Sequence, residues 1–154
     1  MKHTEKEIKM EKEIKLKNEA EVREIGIKLG QKLLPGSILA LEGELGTGKT
    51  SLTRYIGLGL GITRNIKSPT FTILNEYRGG RLPLYHFDVY RIDDPKEMEE
   101  LGYEEYFFGE GITVLEWADK IKALLPDDAM IIRMGYGKGE EERVYRFNFD
   151  IDSI

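Results

Sequence analysis

Gly43-Glu44-Leu45-Gly46-Thr47-Gly48-Lys49-Thr50 fits the pattern G-x-x-x-x-G-K-[ST], and the chemistry of that spacing is phosphate binding. Its glycines let backbone N–H groups turn inward around phosphate oxygens, where a Cβ would block either the turn or the ligand. Lys49 is spaced to reach β- and γ-phosphates, and the Thr50 hydroxyl to hold Mg²⁺. Together with Ser51 on the same helix start, the predicted nucleotide-binding set is Gly43, Glu44, Leu45, Gly46, Thr47, Gly48, Lys49, Thr50 and Ser51. The pattern predicts a site for a nucleoside triphosphate.

Such a site needs a second acidic residue at a strand end, near the metal or the attacking water. Two residues qualify. Asp88 ends the run Leu84-Tyr85-His86-Phe87-Asp88, and Glu116 ends Ile112-Thr113-Val114-Leu115-Glu116. Either could be that carboxylate. Thr70, in a loop after Pro69, has the position of a γ-phosphate-sensing switch threonine, against a plainer reading as a turn cap. His86 alternates with Phe87 and reads as a packed or exposed strand residue rather than a catalytic one. Trp117 reads as core filling, with gating of the site as its second reading. No Asn-Lys-x-Asp occurs, so adenine is favoured over guanine.

The elements that must position these groups follow from pattern. Ser37–Glu42 is a short apolar strand after the turn signal Pro35-Gly36, and Thr50–Ile56 a helix whose positive end faces the phosphates. Gly57, Gly59 and Gly61 then end its periodic pattern. Upstream, Glu13–Lys17 alternates as an edge strand would, and Asn18 with Glu21 opens a helix carrying Val22, Ile25, Leu29 and Leu33. Downstream, Phe71–Tyr77 and Leu82–Tyr90 form a hairpin pair around Arg78-Gly79-Gly80-Arg81. Asp93-Asp94-Pro95 opens a helix to about Leu101. Gly111–Trp117 is a strand, Asp119–Leu125 a short helix, and Ala129–Met134 with Arg143–Phe149 a further strand pair. The expected fold is α/β, a three-layer P-loop NTPase sandwich with a mixed sheet and antiparallel edge hairpins.

Composition bounds the rest. The 154 residues are expected to form one domain, 1–154, with 1–12 a solvated stub: the first 17 residues carry six Lys and four Glu. A net charge of −5 argues against direct nucleic-acid binding by the whole molecule. The absence of cysteine excludes disulfides, thiolate metal sites and a Cys nucleophile. No apolar run approaches the roughly 20 residues of a membrane helix, and the N-terminus lacks a secretory signal's apolar region, so the expected location is the cytoplasm.

Taken together, five blocks resemble the bacterial TsaE (YjeE) family. They are Leu41–Thr50, Lys67-Ser68-Pro69-Thr70-Phe71-Thr72, Tyr85-His86-Phe87-Asp88-Val89-Tyr90-Arg91, Leu101–Phe107, and Val114-Leu115-Glu116-Trp117. The likeness extends from about Asn18 to Phe149, and its S-P-T-[FY]-T, H-F-D-x-Y-R and E-W segments are highly specific. It implies Mg²⁺-ATP binding and slow hydrolysis in support of TsaD and TsaB, which transfer threonylcarbamoyl to adenosine 37 of tRNA. tRNA is then reached indirectly through that complex. By matching position, Thr50 and Glu116 would serve the metal, Asp88 would act at the hydrolytic centre with Lys49, and Thr70 would be the switch threonine. Two positions depart from the family's habit: Val22 where a threonine is frequent, and Ala118 where proline is. A rival reading is a small-molecule P-loop kinase, which needs a lid with several arginines. After Leu125 the chain has only Arg133, Arg143 and Arg146, on strand-like runs. A third is a binding module whose conformation ATP sets.

Overall fold

The computed structural model describes residue 10 and residues 12–44, 46–67, 69 and 73–154. Strand β1 (Lys12–Leu16) leads into helix α1 (Glu19–Lys32), and β2 (Ile38–Gly43) into α2 (Lys49–Leu60). β3 (Leu74–Tyr77) and β4 (Leu84–Asp88) follow, then two short helices, α3 (Glu97–Glu100) and α4 (Tyr103–Phe107). β5 (Ile112–Glu116) ends the central set. A 3₁₀ turn (Ala118–Leu124) then leads to β6 (Met130–Tyr136), β7 (Arg143–Phe147) and a last 3₁₀ turn (Ile151–Ser153).

The seven strands lie in the order β1-β7-β6-β2-β5-β4-β3. β6, β2, β5 and β4 pair in parallel, while β7 pairs antiparallel with both β6 and β1 on one side and β3 pairs antiparallel with β4 on the other. This is a mixed α/β sheet with antiparallel edges, as expected. Period-two alternation divides its side chains between two cores. Leu39, Leu41, Val114, Ile132 and Phe147 pack under α1 and α2, and Ala40, Phe87, Leu115 and Ile131 under Met98 and Phe107 on the opposite face. Three layers result.

Local chemistry explains most element ends. Asn18 Oδ1 accepts from Glu21 N (3.1 Å), and Glu21 reaches back to Lys17 N (2.5 Å), so the predicted capping pair does start α1. Four expectations need correcting. Gly57 and Gly59 lie inside α2, and only Gly61, with φ +83, ends it. The glycines serve packing, because a Cβ at Gly59 would stand 2.2 Å from the Ile27 carbonyl oxygen, and one at Gly30 2.2 Å from that of Ile56. The helix at 93–101 contracts to Glu97–Glu100, since Glu97 Oε2 accepts from the Asp93 and Asp94 amides in a turn that precedes it. The segment expected as a helix over 119–125 is a 3₁₀ turn broken at Ile121, and α4 was not foreseen. At the N-terminus, β1 begins inside the expected stub and Met10 packs against the α3–α4 core. The rest of that stub, and Phe71 and Thr72 of the hairpin, lie outside the described residues. Among the described residues, no helix is long and apolar enough to cross a membrane.

Candidate phosphate and metal site

The site sits at the carboxyl ends of the parallel strands. β2 ends in Gly43, and the chain turns through Gly46 and Gly48 into α2. Gly48 is the N-cap, at φ +94 and ψ 25, a conformation in which L side chains are strained. A Cβ there would meet no protein atom within 4 Å, so backbone conformation and not packing requires the glycine. The first turn of α2 contains no acidic residue, and Gly48 at its N-cap makes no side-chain capping bond. That leaves a helix N-terminus suited to an anion. Thr47, almost fully buried, ties the turn by donating from Oγ1 to the Glu44 carbonyl (2.7 Å).

Lys49 opens α2 and is 5% exposed. Its Nζ donates to the carbonyl oxygens of Gly43 (2.8 Å) and Glu44 (3.0 Å) and lies 4.1 Å from the centroid of the Trp117 ring. Burial pushes the ammonium below the usual lysine range, while the charges of Glu116, Asp88 and Asp119 raise it in part. Trp117 itself sits at φ +62, outside the preferred regions for a bulky residue, and packs on Tyr90 with ring centroids 4.9 Å apart. It touches Lys49 rather than merely filling the core.

The two carboxylates come together. Asp88 and Glu116 are register partners at the ends of β4 and β5, and Thr50 Oγ1 donates to Glu116 Oε1 (3.1 Å) and Oε2 (3.4 Å). Glu116 is 3% exposed. Asp88 Oδ1 accepts from Tyr90 N (3.1 Å). A hydroxyl and two carboxylates are hard oxygen donors of the kind Mg²⁺ prefers. Among the described residues, no cluster of three or more His, Cys, Asp or Glu forms a dedicated metal cage. Thr50 with one or both carboxylates suits an ion held by one or two protein oxygens together with phosphates.

His86, read from sequence as packed, is fully buried, and its Nε2 contacts the Glu116 carboxylate. The signal was available: His86 precedes Asp88 by two residues on one strand, and period two puts both on the face that carries the site. Asp119, whose charge reaches Lys49, carried no comparable signal. Leu45, Ser68 and Thr70 lie outside the described residues. The flanks of the Thr70 loop are held at the site, since Ile73 N donates to the Pro69 carbonyl (3.0 Å) and Asp88 N to that of Ile73 (2.8 Å). Val22 is buried in the α1–α2 core. Ser51 lies on the first turn of α2.

Known proteins match most of this chain. The family model described as threonylcarbamoyl adenosine biosynthesis protein TsaE matches residues 16–145. A Bacillus subtilis relative, named tRNA threonylcarbamoyladenosine biosynthesis protein TsaE, is 50% identical over 113 residues, which cover 73% of this chain and 70% of the relative. A Nostoc protein of the same name is 40% identical over 136 residues, covering 84% and 83%. The crystal structure of Bacillus subtilis YdiB matches with a TM-score of 0.75 at 40% identity, covering 88% of this chain and 82% of that one.

Proposed function

This chain belongs to the TsaE family of tRNA threonylcarbamoyladenosine biosynthesis proteins, and on that premise we propose that it is a Mg²⁺-dependent ATPase serving TsaD and TsaB. The observation that carries the reading is the contact of Thr50 Oγ1 with Glu116, next to Asp88 and at the start of the helix that bears Lys49. In this reading the amides from Gly46 to Ser51 and the Lys49 ammonium bind the phosphates, and Thr50 and Glu116 hold the metal. An ion held there by Thr50 and Glu116 would supply neutralisation of phosphate charge. Asp88 orients the attacking water, and Thr70 senses the γ-phosphate. The 154 residues act as one domain in the cytoplasm.

To engage the β/γ-phosphates, Lys49 exchanges two backbone carbonyl acceptors for phosphate oxygens, which requires the Gly43–Glu44 turn to release it. The threonylcarbamoyl chemistry then belongs to TsaD and TsaB, and tRNA is reached through them. The kinase alternative gains no support from its arginines. Arg133 pairs with Glu42 (2.9 Å), Arg146 with Glu13 (3.4 Å), and Arg143 donates to the Glu140 and Glu142 carbonyls, all from β6 and β7. The test is ATP turnover by the protein alone, with TsaD–TsaB, and with small-molecule phosphoryl acceptors. Stimulation by the pair is expected. Transfer of the γ-phosphate to a metabolite in place of hydrolysis would reverse the choice.

A further inference from the structure

We propose that His86 is a positioning residue for the metal side of this site: its Nε2–H donates to Glu116 and fixes that carboxylate against Thr50. The inference rests on the nucleotide-site reading above and adds a residue to it. His86 is fully buried in the middle of β4, opposite Asn75 of β3 and Val114 of β5, on the sheet face that also carries Asp88 and Glu116. Both Glu116 oxygens accept from the Thr50 hydroxyl, so the ring nitrogen touching that carboxylate is the one that carries hydrogen. Nδ1 is buried with no hydrogen-bond partner among the described residues. A proton there would be a buried donor without an acceptor, which favours the Nε2–H tautomer. The ring therefore spends its single donor on Glu116.

The consequence falls on the carboxylate. Glu116 Oε2 faces His86, and both oxygens lie within reach of the Thr50 hydroxyl. Without His86, the Thr50 hydroxyl is the hydrogen bond that remains on the Glu116 carboxylate among the described residues, and the charge of Lys49 attracts the freed oxygen. A carboxylate drawn toward Lys49 no longer presets the Thr50–Glu116 oxygen pair. Outer-shell partners of this kind are typically worth about 10- to 100-fold in metal affinity.

The bland alternative is a histidine that only fills space, and the two differ in what a substitution changes. Calorimetry would measure binding of a non-hydrolysable ATP analogue with excess Mg²⁺ and again in EDTA, beside a thermal melt. In His86→Met the gain from Mg²⁺ should fall about tenfold or more, with EDTA affinity unchanged within about twofold. His86→Gln, which keeps an N–H near the Nε2 position, should recover most of the gain. A full Mg²⁺ gain in folded His86→Met overturns the assignment while leaving the nucleotide site standing. A wild-type protein whose triphosphate binding ignores Mg²⁺ overturns the proposed function and this assignment with it. A readout that needs no variant to fold is ¹⁵N NMR of the protein's two histidines, His3 and His86. An Nε2–H tautomer at the buried ring is expected, and an Nδ1–H tautomer there overturns the proposal.

Discussion

Lys49 carries its charge to a buried position between backbone carbonyls and an aromatic face, and burial lowers its proton affinity there. Phosphate oxygens would restore it. Triphosphate binding should therefore weaken as pH climbs toward the lowered Lys49 pKa, earlier than an ordinary lysine near 10.5 would dictate. Glu116, Asp88 and Asp119 face the group and soften the shift without cancelling it. Binding in that window should take up a proton, and calorimetry over a pH series up to 10.5 in buffers of differing ionisation enthalpy reads it directly. Zero uptake would contradict the shift. Removing the charge altogether, in Lys49→Ala, should cost about 10- to 150-fold in ATP affinity, from about 1.5–3 kcal/mol for a charge-assisted hydrogen bond. An unchanged affinity would exclude the phosphate-loop reading. The two carboxylates should separate on substitution. Glu116→Ala is expected to raise the Mg²⁺ concentration needed for turnover, whereas Asp88→Asn should slow turnover with nucleotide still bound. A Mg²⁺ titration that ranks them in reverse would exchange their roles.

At the scale of the element, α2 both points its N-terminus at the proposed phosphate site and packs closely against α1. It approaches α1 so closely that glycines on both helices are in backbone contact. Gly59→Ala would press a methyl against the Ile27 carbonyl, which cannot rotate aside, and should cost about 1–3 kcal/mol. Gly57→Ala meets the end of the Ile66 side chain instead, a group that can turn away, so its cost should be smaller. Urea unfolding midpoints rank the two, and equal losses would mean that α2 shifts as a rigid rod. In that case Lys49 and Thr50 would move as well, and the Gly59 variant would lose nucleotide affinity along with stability.

For the whole molecule, size and charge bear on partners. An acidic chain of 154 residues, net −5, is poorly suited to hold a polyanion itself. Energy from ATP would reach tRNA chemistry through another protein, and the lever we propose is the loop carrying Thr70, whose flanks are tied to Asp88. ATP should then favour association with TsaD–TsaB over ADP, and Thr70→Ala should blunt the difference. Light scattering that finds equal association in the two nucleotides would defeat the switch.

Some of this was legible before any tertiary contact was known. The phosphate loop, the α1 cap, the strand leading into the loop, and the strand-end positions of Asp88 and Glu116 all depend on short-range spacing, and short-range sterics and hydrogen bonding act the same way in any fold. The lengths of α2 and of the helix near 97 were misread because a glycine's cost in an isolated helix is offset here by close packing, and an acidic turn competes with the first helical residues. Which side chains meet was decided elsewhere. Asp88 adjoins Glu116 because β4 and β5 pair in parallel in one register, and a slip of one residue would turn either side chain to the opposite face. His86 reaches Glu116, and Trp117 covers Lys49, across separations of 30 and 68 residues, given by their numbers in the chain. Contacts between residues that distant are properties of the folded sheet, because only burial in a shared low-dielectric site gives those pairings their strength.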